Sequence, residues 1–125
     1  MSITDGSKKT ISFNQNDIVN AYVTYFESDG DKHRPALIVG VDNERTIDVL
    51  KITSKYKGKS PAIKAHRYPL KDWQIEGLDK ESYVDILAMQ KIYLPDQYHI
   101  VKRGIITDND MEGLAKFIIN YSKSH

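Results

Sequence analysis

A basic segment interleaved with aromatic residues is the first feature of this sequence that could do chemistry. It runs from Lys51 to Lys71 with seven basic residues and no acidic one, whereas the rest of the chain carries 11 basic and 17 acidic residues. Cations at this density can follow a phosphate backbone, and the rings of Tyr56, His66 and Tyr68 could stack on bases. The side chains predicted to bind nucleic acid are Lys51, Lys55, Tyr56, Lys57, Lys59, Lys64 and Arg67. The segment could equally be a solvated lysine-rich loop whose charge only keeps the chain soluble.

The sequence lacks the residues that a metal site, a common cofactor site or an acyl-transfer site would require. It contains no cysteine, and its four histidines, His33, His66, His99 and His125, are too scattered to place two metal ligands on one helix face or hairpin. It also lacks a glycine-rich phosphate loop and a nucleophile-elbow serine. We therefore expect neither a bound metal nor a cofactor.

The length and composition fit one soluble domain. A chain of 125 residues can bury a core without disulfides or a structural metal. No apolar run approaches the ~18 residues that a membrane-spanning helix requires, and the N-terminus lacks the apolar stretch of a signal peptide. These features predict a cytoplasmic protein.

The first half of the chain is predicted to form strands. Residues 1–15 are polar and aperiodic, which predicts a loose N-terminal arm ahead of a single domain over residues 16–125. Three strands of a meander are predicted over residues 17–26, 36–41 and 46–53.

The second half is predicted to hold shorter strands and then a helix. Strand candidates lie at residues 62–66, 82–87, 91–94 and 102–106, and one helical turn is expected over residues 69–73. After Thr107 the apolar residues recur at helical spacing, and Thr107 followed by Asp110 favours a capped helix start. Several short antiparallel strands with one terminal helix predict a mainly β fold, a small and strongly bent barrel.

Three segments, in this order, resemble the MazF/PemK family of toxin endoribonucleases. They are Asn16-Asp17-Ile18-Val19-Asn20-Ala21-Tyr22-Val23, then His33-Arg34-Pro35-Ala36-Leu37-Ile38-Val39, and then Leu50-Lys51-Ile52-Thr53-Ser54 at the start of the basic segment. Gly77-Leu78 with Ser82-Tyr83-Val84, and the strand-to-helix step at residues 104–114, also lie where the family has corresponding elements, so the resemblance covers roughly residues 16–120. It implies a small SH3-like antiparallel β-barrel with a C-terminal helix.

The resemblance also implies an activity and partners. The activity would be metal-independent cleavage of single-stranded RNA through a 2′,3′-cyclic phosphate, by the toxin of a toxin–antitoxin pair. The partners would be a second copy of the chain, in a homodimer, and an antitoxin whose disordered acidic segment covers the basic groove.

Three residues would carry the catalysis that the resemblance implies. Arg34 would hold two phosphate oxygens, and Thr53, which matches the family's catalytic threonine or serine, would donate a hydrogen bond to the same phosphate. His33, whose side chain has an ordinary pKa of ~6.5, could serve as acid or base. Because neighbours on a strand point to opposite faces, His33 can share a site with Arg34 only from the loop before the strand. The alternatives are an ion pair of Arg34 with Asp17 or Glu27, and a turn-capping role for Thr53.

Departures from the family pattern leave two other interpretations open. Asn16 stands where the family usually has glycine, and residues 85–91 do not reproduce the polar strand that carries an acid or arginine in several members. The chain could therefore be a catalytically degenerate relative that binds nucleic acid or protein, with Leu87, Ala88 and Met89 in a core or a dimer seam. It could also be a regulatory barrel of unrelated function, whose strand motifs reflect only the needs of folding.

Overall fold

Strands account for most of the secondary structure, which is known from a computed structural model. The structure describes residues 2–4, 10–24, 31–43, 45–94 and 100–125, with side chains for residues 13–21, 34–42, 45–94 and 100–125. The strands are β1 (Ser2–Thr4), β2 (Thr10–Ser12), β3 (Asp17–Thr24), β4 (Asp31–Asn43), β5 (Thr46–Thr53), β6 (Arg67–Pro69), β7 (Tyr83–Tyr93) and β8 (Val101–Ile105). The helices are α1 (Pro61–Lys64) and α2 (Asp108–Ser124), and neither is long and apolar enough to cross a membrane.

Strands β3, β4 and β5 form the predicted antiparallel meander at the centre of a six-stranded sheet with the order β6-β7-β5-β4-β3-β8. Leu37 of β4 pairs with Ile18 of β3 on one side and with Leu50 of β5 on the other. The predicted third strand coincides with β5, whereas β4 begins earlier than predicted because each residue from Asp31 to Pro35 finds a partner on β3.

The segment after β5 contradicts the predicted strand over residues 62–66. It forms the short helix α1, and the hydroxyl of Ser60 caps it by accepting a hydrogen bond of 3.3 Å from the N–H of Ile63. Pro61 takes the first helical position, where its missing N–H leaves no hydrogen bond unmade. The strand prediction was wrong because a Ser-Pro pair, interpreted as a flexible connection, is also a helix start.

Two strand candidates of the second half are parts of one strand. Residues 82–87 and 91–94 both overlap β7, which pairs with β5 and with β6. The register of β7 against β5 shifts between Leu50 and Ile52, which leaves residues 85–88 as a bulge. The bulge interrupts the alternation of side chains, and the sequence pattern therefore predicts two strands instead of one.

The sheet has a core on each face. One core contains Phe13 and side chains of β3, β4, β5 and β7, and the other contains residues such as Ile18, Leu37 and Ile52. Leu114 and Phe117 of α2 pack on the second core. β6 and β8 occupy the two edges of the sheet, so the described strands form an open sheet rather than a closed barrel. The mainly β fold with a C-terminal helix is confirmed.

The N-terminal residues are only partly described. Ser2–Thr4 pairs with Thr10–Ser12 in a separate two-stranded sheet, and Phe13 is buried in the core. The division into an arm over residues 1–15 and a domain over residues 16–125 stays a prediction.

The start of α2 confirms the predicted cap and ties the helix to the turns at residues 71–77. The hydroxyl of Thr107 accepts a hydrogen bond from the N–H of Asp110 at 3.2 Å. The carboxylate of Asp110 in turn accepts hydrogen bonds from the N–H groups of Lys71 (3.0 Å) and Asp72 (2.9 Å) and from the hydroxyl of Tyr68 (2.8 Å). A buried carboxylate therefore joins the helix, the turns and β6.

Candidate functional site

A cavity of about 310 Å³ contains both Arg34 and Thr53 in its lining. The pairing of β4 with β5 ends at Ala36–Lys51, and Arg34 and Thr53 each lie two residues beyond that pair, so its register, if continued, would set them opposite each other. Antiparallel partners stand about 5 Å apart, so both side chains can reach one ligand. The pairing of two adjacent strands thus brings these two predicted catalytic residues together.

Thr53 already performs the turn-capping role that was the alternative to catalysis. Its side-chain oxygen accepts a hydrogen bond of 3.1 Å from the N–H of Lys55. A hydroxyl group can donate while it accepts, so Thr53 can still donate its proton to a ligand in the cavity. The two roles are compatible.

The alternative of an ion pair for Arg34 stays open, because only one of its two suggested partners is among the described residues. Asp17 forms an ion pair of 3.2 Å with Lys102 and accepts a hydrogen bond from the N–H of Asn14. Glu27 lies outside the described residues.

The prediction for His33 falls on a side chain that the structure does not describe. The backbone of His33 belongs to β4 and is paired with Tyr22 of β3. Its role as acid or base therefore stays a prediction.

Arg103 is a residue of the cavity that sequence reasoning missed. Its guanidinium donates to the carbonyl of Gly77 from both Nε (3.1 Å) and Nη2 (2.7 Å), and to the side-chain oxygen of Asn20 from Nη1 (3.3 Å). It also forms an ion pair of 3.1 Å with Asp79. Arg103 lies on β8, which pairs with β3 at the edge of the sheet. No local sequence pattern predicts that pairing.

Two glycines allow the turn before Asp79 to lie directly against β8. A Cβ atom at Gly77 would collide with the backbone carbonyl of Arg103, and one at Gly104 would collide with the carbonyl of Glu76. Gly77 also has a φ angle of +88°, a conformation that residues with a side chain rarely adopt. This backbone contact places the carbonyl of Gly77 within reach of the Arg103 guanidinium.

The cavity is strongly cationic. Its lining has a single carboxylate, that of Asp79, among the described residues. The cations that line it are Arg34, Lys51, Lys55, Lys80 and Arg103. Like charges around one concave surface raise the local concentration of anions. A phosphate group is therefore the kind of ligand that this cavity suits best.

An open groove of about 500 Å³ continues from the cavity and shares Ser54 and Lys55 with it. The rings of Tyr56 and Tyr83 stack in its wall, with centroids 4.2 Å apart and planes 6° from parallel. Lys64 places its ammonium group 5.1 Å from the centre of the Tyr56 ring. The exposed Lys57 and the half-buried Lys59 complete the basic lining, and Glu81 also lines the groove.

Arg67, predicted to bind nucleic acid, instead lies in the interior. Only 4% of it is exposed, and its Nε pairs with Asp85 at 3.3 Å while Nη1 donates to the carbonyl of Lys55 at 2.6 Å. Asp85 also accepts a hydrogen bond from Nδ1 of His66 at 2.9 Å. A buried charge needs a partner, and the sequence does not show that Asp85 provides one. Arg67 therefore holds the basic segment in place from inside, and Tyr68 is likewise buried.

Comparison with known proteins identifies the fold. No protein-family model and no curated protein matches the chain. Among solved structures, the Mycobacterium tuberculosis toxin MazF-mt6 superposes with a TM-score of 0.60 at 22% identity, over 86% of this chain and 96% of that one. A second Mycobacterium tuberculosis toxin gives a TM-score of 0.52 at 24% identity, over 71% of this chain and 92% of the other. The predicted resemblance is thus confirmed at the level of architecture, and the chain has the fold of the MazF toxins.

Proposed function

We propose that this protein is the toxin of a toxin–antitoxin pair and cleaves single-stranded RNA without a metal ion. The observation that carries the proposal is one cavity, in a MazF fold, that combines Arg34 and Thr53 with further cations. Each part alone would be weak support, because folds host many functions. Together they match the residue types that phosphate-ester cleavage requires.

The chemistry proposed is attack of the ribose 2′-oxygen on the adjacent phosphorus, which gives a 2′,3′-cyclic phosphate and a free 5′-hydroxyl. Negative charge grows on the non-bridging oxygens during this attack. The guanidinium of Arg34 can donate two parallel hydrogen bonds to those oxygens, and the hydroxyl of Thr53 can donate a third.

The groove beside the cavity favours an unpaired strand. Lys55, Lys57 and Lys59 would follow the phosphates, while a base leaving the cavity meets the stacked pair Tyr56 and Tyr83. Bases are free to stack on tyrosine only when they are not paired in a duplex. Lys51, in the cavity, and Lys64, over Tyr56, would contribute charge to the same surface.

Two protein partners belong to the proposal. An antitoxin with an acidic disordered segment would neutralise the cationic cavity and groove and fold on binding. A second copy of the chain would cover the exposed apolar residues of β7, where Leu87 is 58% and Met89 is 64% exposed. Large apolar side chains on one strand are common in interfaces.

A catalytically degenerate binding module is the alternative function. Asp85, the carboxylate of the divergent segment 85–91, is buried and paired with Arg67. That segment therefore supplies no acid to the cavity, which favours a protein that binds nucleic acid or protein without cutting RNA.

The decisive experiment incubates the protein with a long single-stranded RNA in EDTA and identifies the ends of the fragments. Arg34→Gln should lower the rate by about 10²- to 10³-fold, which is the usual cost of removing one oxyanion donor. Arg45→Gln is the matched control, because Arg45 is exposed and its Nη1 lies 3.5 Å from Tyr93, outside the cavity lining.

Each result selects one function. Cleavage by the wild type and by Arg45→Gln, with cyclic phosphate and 5′-hydroxyl ends, would support the ribonuclease. RNA that is bound but stays intact would support the degenerate module. Intact RNA without binding would refute the ribonuclease and the nucleic-acid-binding form of the module, and would leave only a module that binds protein.

A further inference from the structure

We propose that Asp79 is the general base that takes the proton of the ribose 2′-hydroxyl, an inference that rests on the proposed cleavage of RNA. Metal-free attack by a 2′-oxygen needs an acceptor for this proton within hydrogen-bond reach. The family motifs in the sequence do not include Asp79, and the structure brings it to the cavity.

The composition of the cavity makes Asp79 the natural acceptor. Its other charged lining residues are Arg34, Lys51, Lys55, Lys80 and Arg103, whose cationic groups donate hydrogen bonds and have no lone pair with which to accept a proton. Thr53, Ser54 and Ser82 contribute hydroxyls, which are very weak bases. Among the described lining residues, Asp79 alone carries a carboxylate, a group that can accept a proton.

The carboxylate is both accessible and anchored. Its side chain is 85% exposed, while Oδ1 lies 3.1 Å from Nη2 of Arg103. The same guanidinium holds the carbonyl of Gly77, two residues before Asp79, at 2.7 Å. Leu78, between them, is buried, and its N–H donates to the carbonyl of Trp73 at 3.0 Å. The backbone before Asp79 is therefore fixed, while its carboxylate is accessible from the cavity.

Arg103, the partner of Asp79, could also bind the phosphate of the substrate. A phosphate in the cavity would compete for the guanidinium that now binds Asp79. The incoming phosphate and the carboxylate would then share Arg103, which places the proton acceptor next to the reacting nucleotide. Arg103 acts here as a positioning residue.

The step balances without an oxidant or a metal. The 2′-O–H bond breaks and its proton moves to the Asp79 carboxylate, while the 2′-oxygen forms a bond to phosphorus. The bond from phosphorus to the 5′-oxygen breaks, and that oxygen takes a proton from the medium. The products are a 2′,3′-cyclic phosphate and a 5′-hydroxyl, and Asp79 afterwards returns its proton to water.

The test compares the full-length wild type with Asp79→Asn, which keeps the side-chain size and one oxygen for Arg103. Removal of a general base should lower kcat by about 10²- to 10⁴-fold. Binding of an RNA with every 2′-hydroxyl methylated, which cannot react, should change less than threefold. A general base makes kcat/KM fall toward acid pH, and this fall should be present in the wild type and absent from the variant.

Two further variants serve as controls. One tests whether the loss of any surface carboxylate slows cleavage, and the other tests whether His33 is the base instead of Asp79. Glu112→Gln, which removes an exposed carboxylate of α2, should leave cleavage unchanged. His33→Gln removes the histidine predicted as acid or base. If His33→Gln abolishes the acid limb of the pH profile and Asp79→Asn does not, the proton acceptor is His33 and the inference is overturned.

The remaining outcomes are also decisive. Asp79→Asn that cleaves as fast as the wild type refutes a base at this position while the ribonuclease stands. Faster cleavage with tighter binding would mean that Asp79 only competes with phosphate for Arg103, and it also overturns the inference. A wild type that cuts no RNA at any pH overturns the proposed function, and this inference with it.

Discussion

Replacing Glu76 with glutamine should remove a loss of stability that the wild type suffers as the pH rises. The side chain of Glu76 is fully buried at 0% exposure. Its Oε2 accepts a hydrogen bond of 2.9 Å from the N–H of Thr107, while Oε1 has no donor among the described residues. Burial, and secondarily the neighbouring Asp110, raise the pKa of Glu76 from 4.5 to about 7.

The direction and size of the effect follow from this pKa. A carboxyl whose pKa is higher in the folded state stabilises the fold below its unfolded pKa, and that contribution is lost as the pH rises through the folded pKa. Between the unfolded pKa of 4.5 and the folded pKa of about 7, the free energy of unfolding should fall by about 3 kcal/mol, since a tenfold change costs ~1.4 kcal/mol.

Asp110 acts in the opposite direction at lower pH. Burial opposes its ionisation, but hydrogen bonds from the backbone of Lys71 and Asp72 and from Tyr68 hold the pKa of Asp110 below 3.8. This contribution is present above the unfolded pKa and is lost as the pH falls. The pair Glu76 and Asp110 together should therefore be most stabilising near pH 4 to 5.

Urea denaturation followed by the fluorescence of Trp73, at pH values from 4.5 to 8, tests the prediction. Glutamine keeps an oxygen for the N–H of Thr107 and has no carboxyl to ionise. The stability difference between Glu76→Gln and the wild type should therefore shift in favour of the variant by about 3 kcal/mol over this range. Glu112→Gln, at an exposed position of α2, is the control and should follow the wild type. Parallel curves for Glu76→Gln and the wild type would refute the reasoning.

Three further perturbations have definite expected results. Gly113→Ala should lower the free energy of unfolding by about 1–3 kcal/mol in urea, because the new Cβ would lie 3.0 Å from Cζ of the Tyr68 ring and closer still to its hydroxyl. This loss is a net value, after the ~1 kcal/mol by which alanine favours a helix over glycine. A variant more stable than the wild type would contradict the expectation. Asp85→Ala should cost about 3–5 kcal/mol because the buried Arg67 loses its partner; a loss of under ~1 kcal/mol in the same assay would show that water replaces the carboxylate. Lys80→Gln should reduce the slope of log affinity against log salt by about 0.7 for methylated single-stranded RNA, and an unchanged slope would place Lys80 outside the bound strand.

The parts of the fold that the sequence predicts are those with local causes. The pattern predicts β5 at its observed bounds because its side chains alternate, and it predicts α2 because Thr107 and Asp110 form a local cap. The error at Pro61–Lys64 arises because a Ser-Pro pair serves equally in a loop and at a helix start. The pattern predicts two strands where β7 is one, because a bulge changes the face on which successive residues lie.

The same distinction between local and long-range causes applies to the candidate site. Arg34 and Thr53 meet through two strands that are adjacent in the sequence, so an alternating pattern suffices to bring them together. Arg103 meets Asn20 across 83 positions, and that contact depends on where an edge strand docks. The charge of Arg67 predicts an exposed side chain, and only the folded chain reveals the buried carboxylate that pairs with it.

The buried carboxyls and the cationic cavity are mechanically connected. Glu76 holds the start of α2 through Thr107, and its own carbonyl lies against Gly104 of β8. The next residue, Gly77, supplies the carbonyl that fixes Arg103, the guanidinium that faces the cavity. We therefore expect ionisation of Glu76 to weaken the packing of the segment whose backbone holds Arg103 at the cavity, so that the buried network also affects how firmly the proposed phosphate site is held.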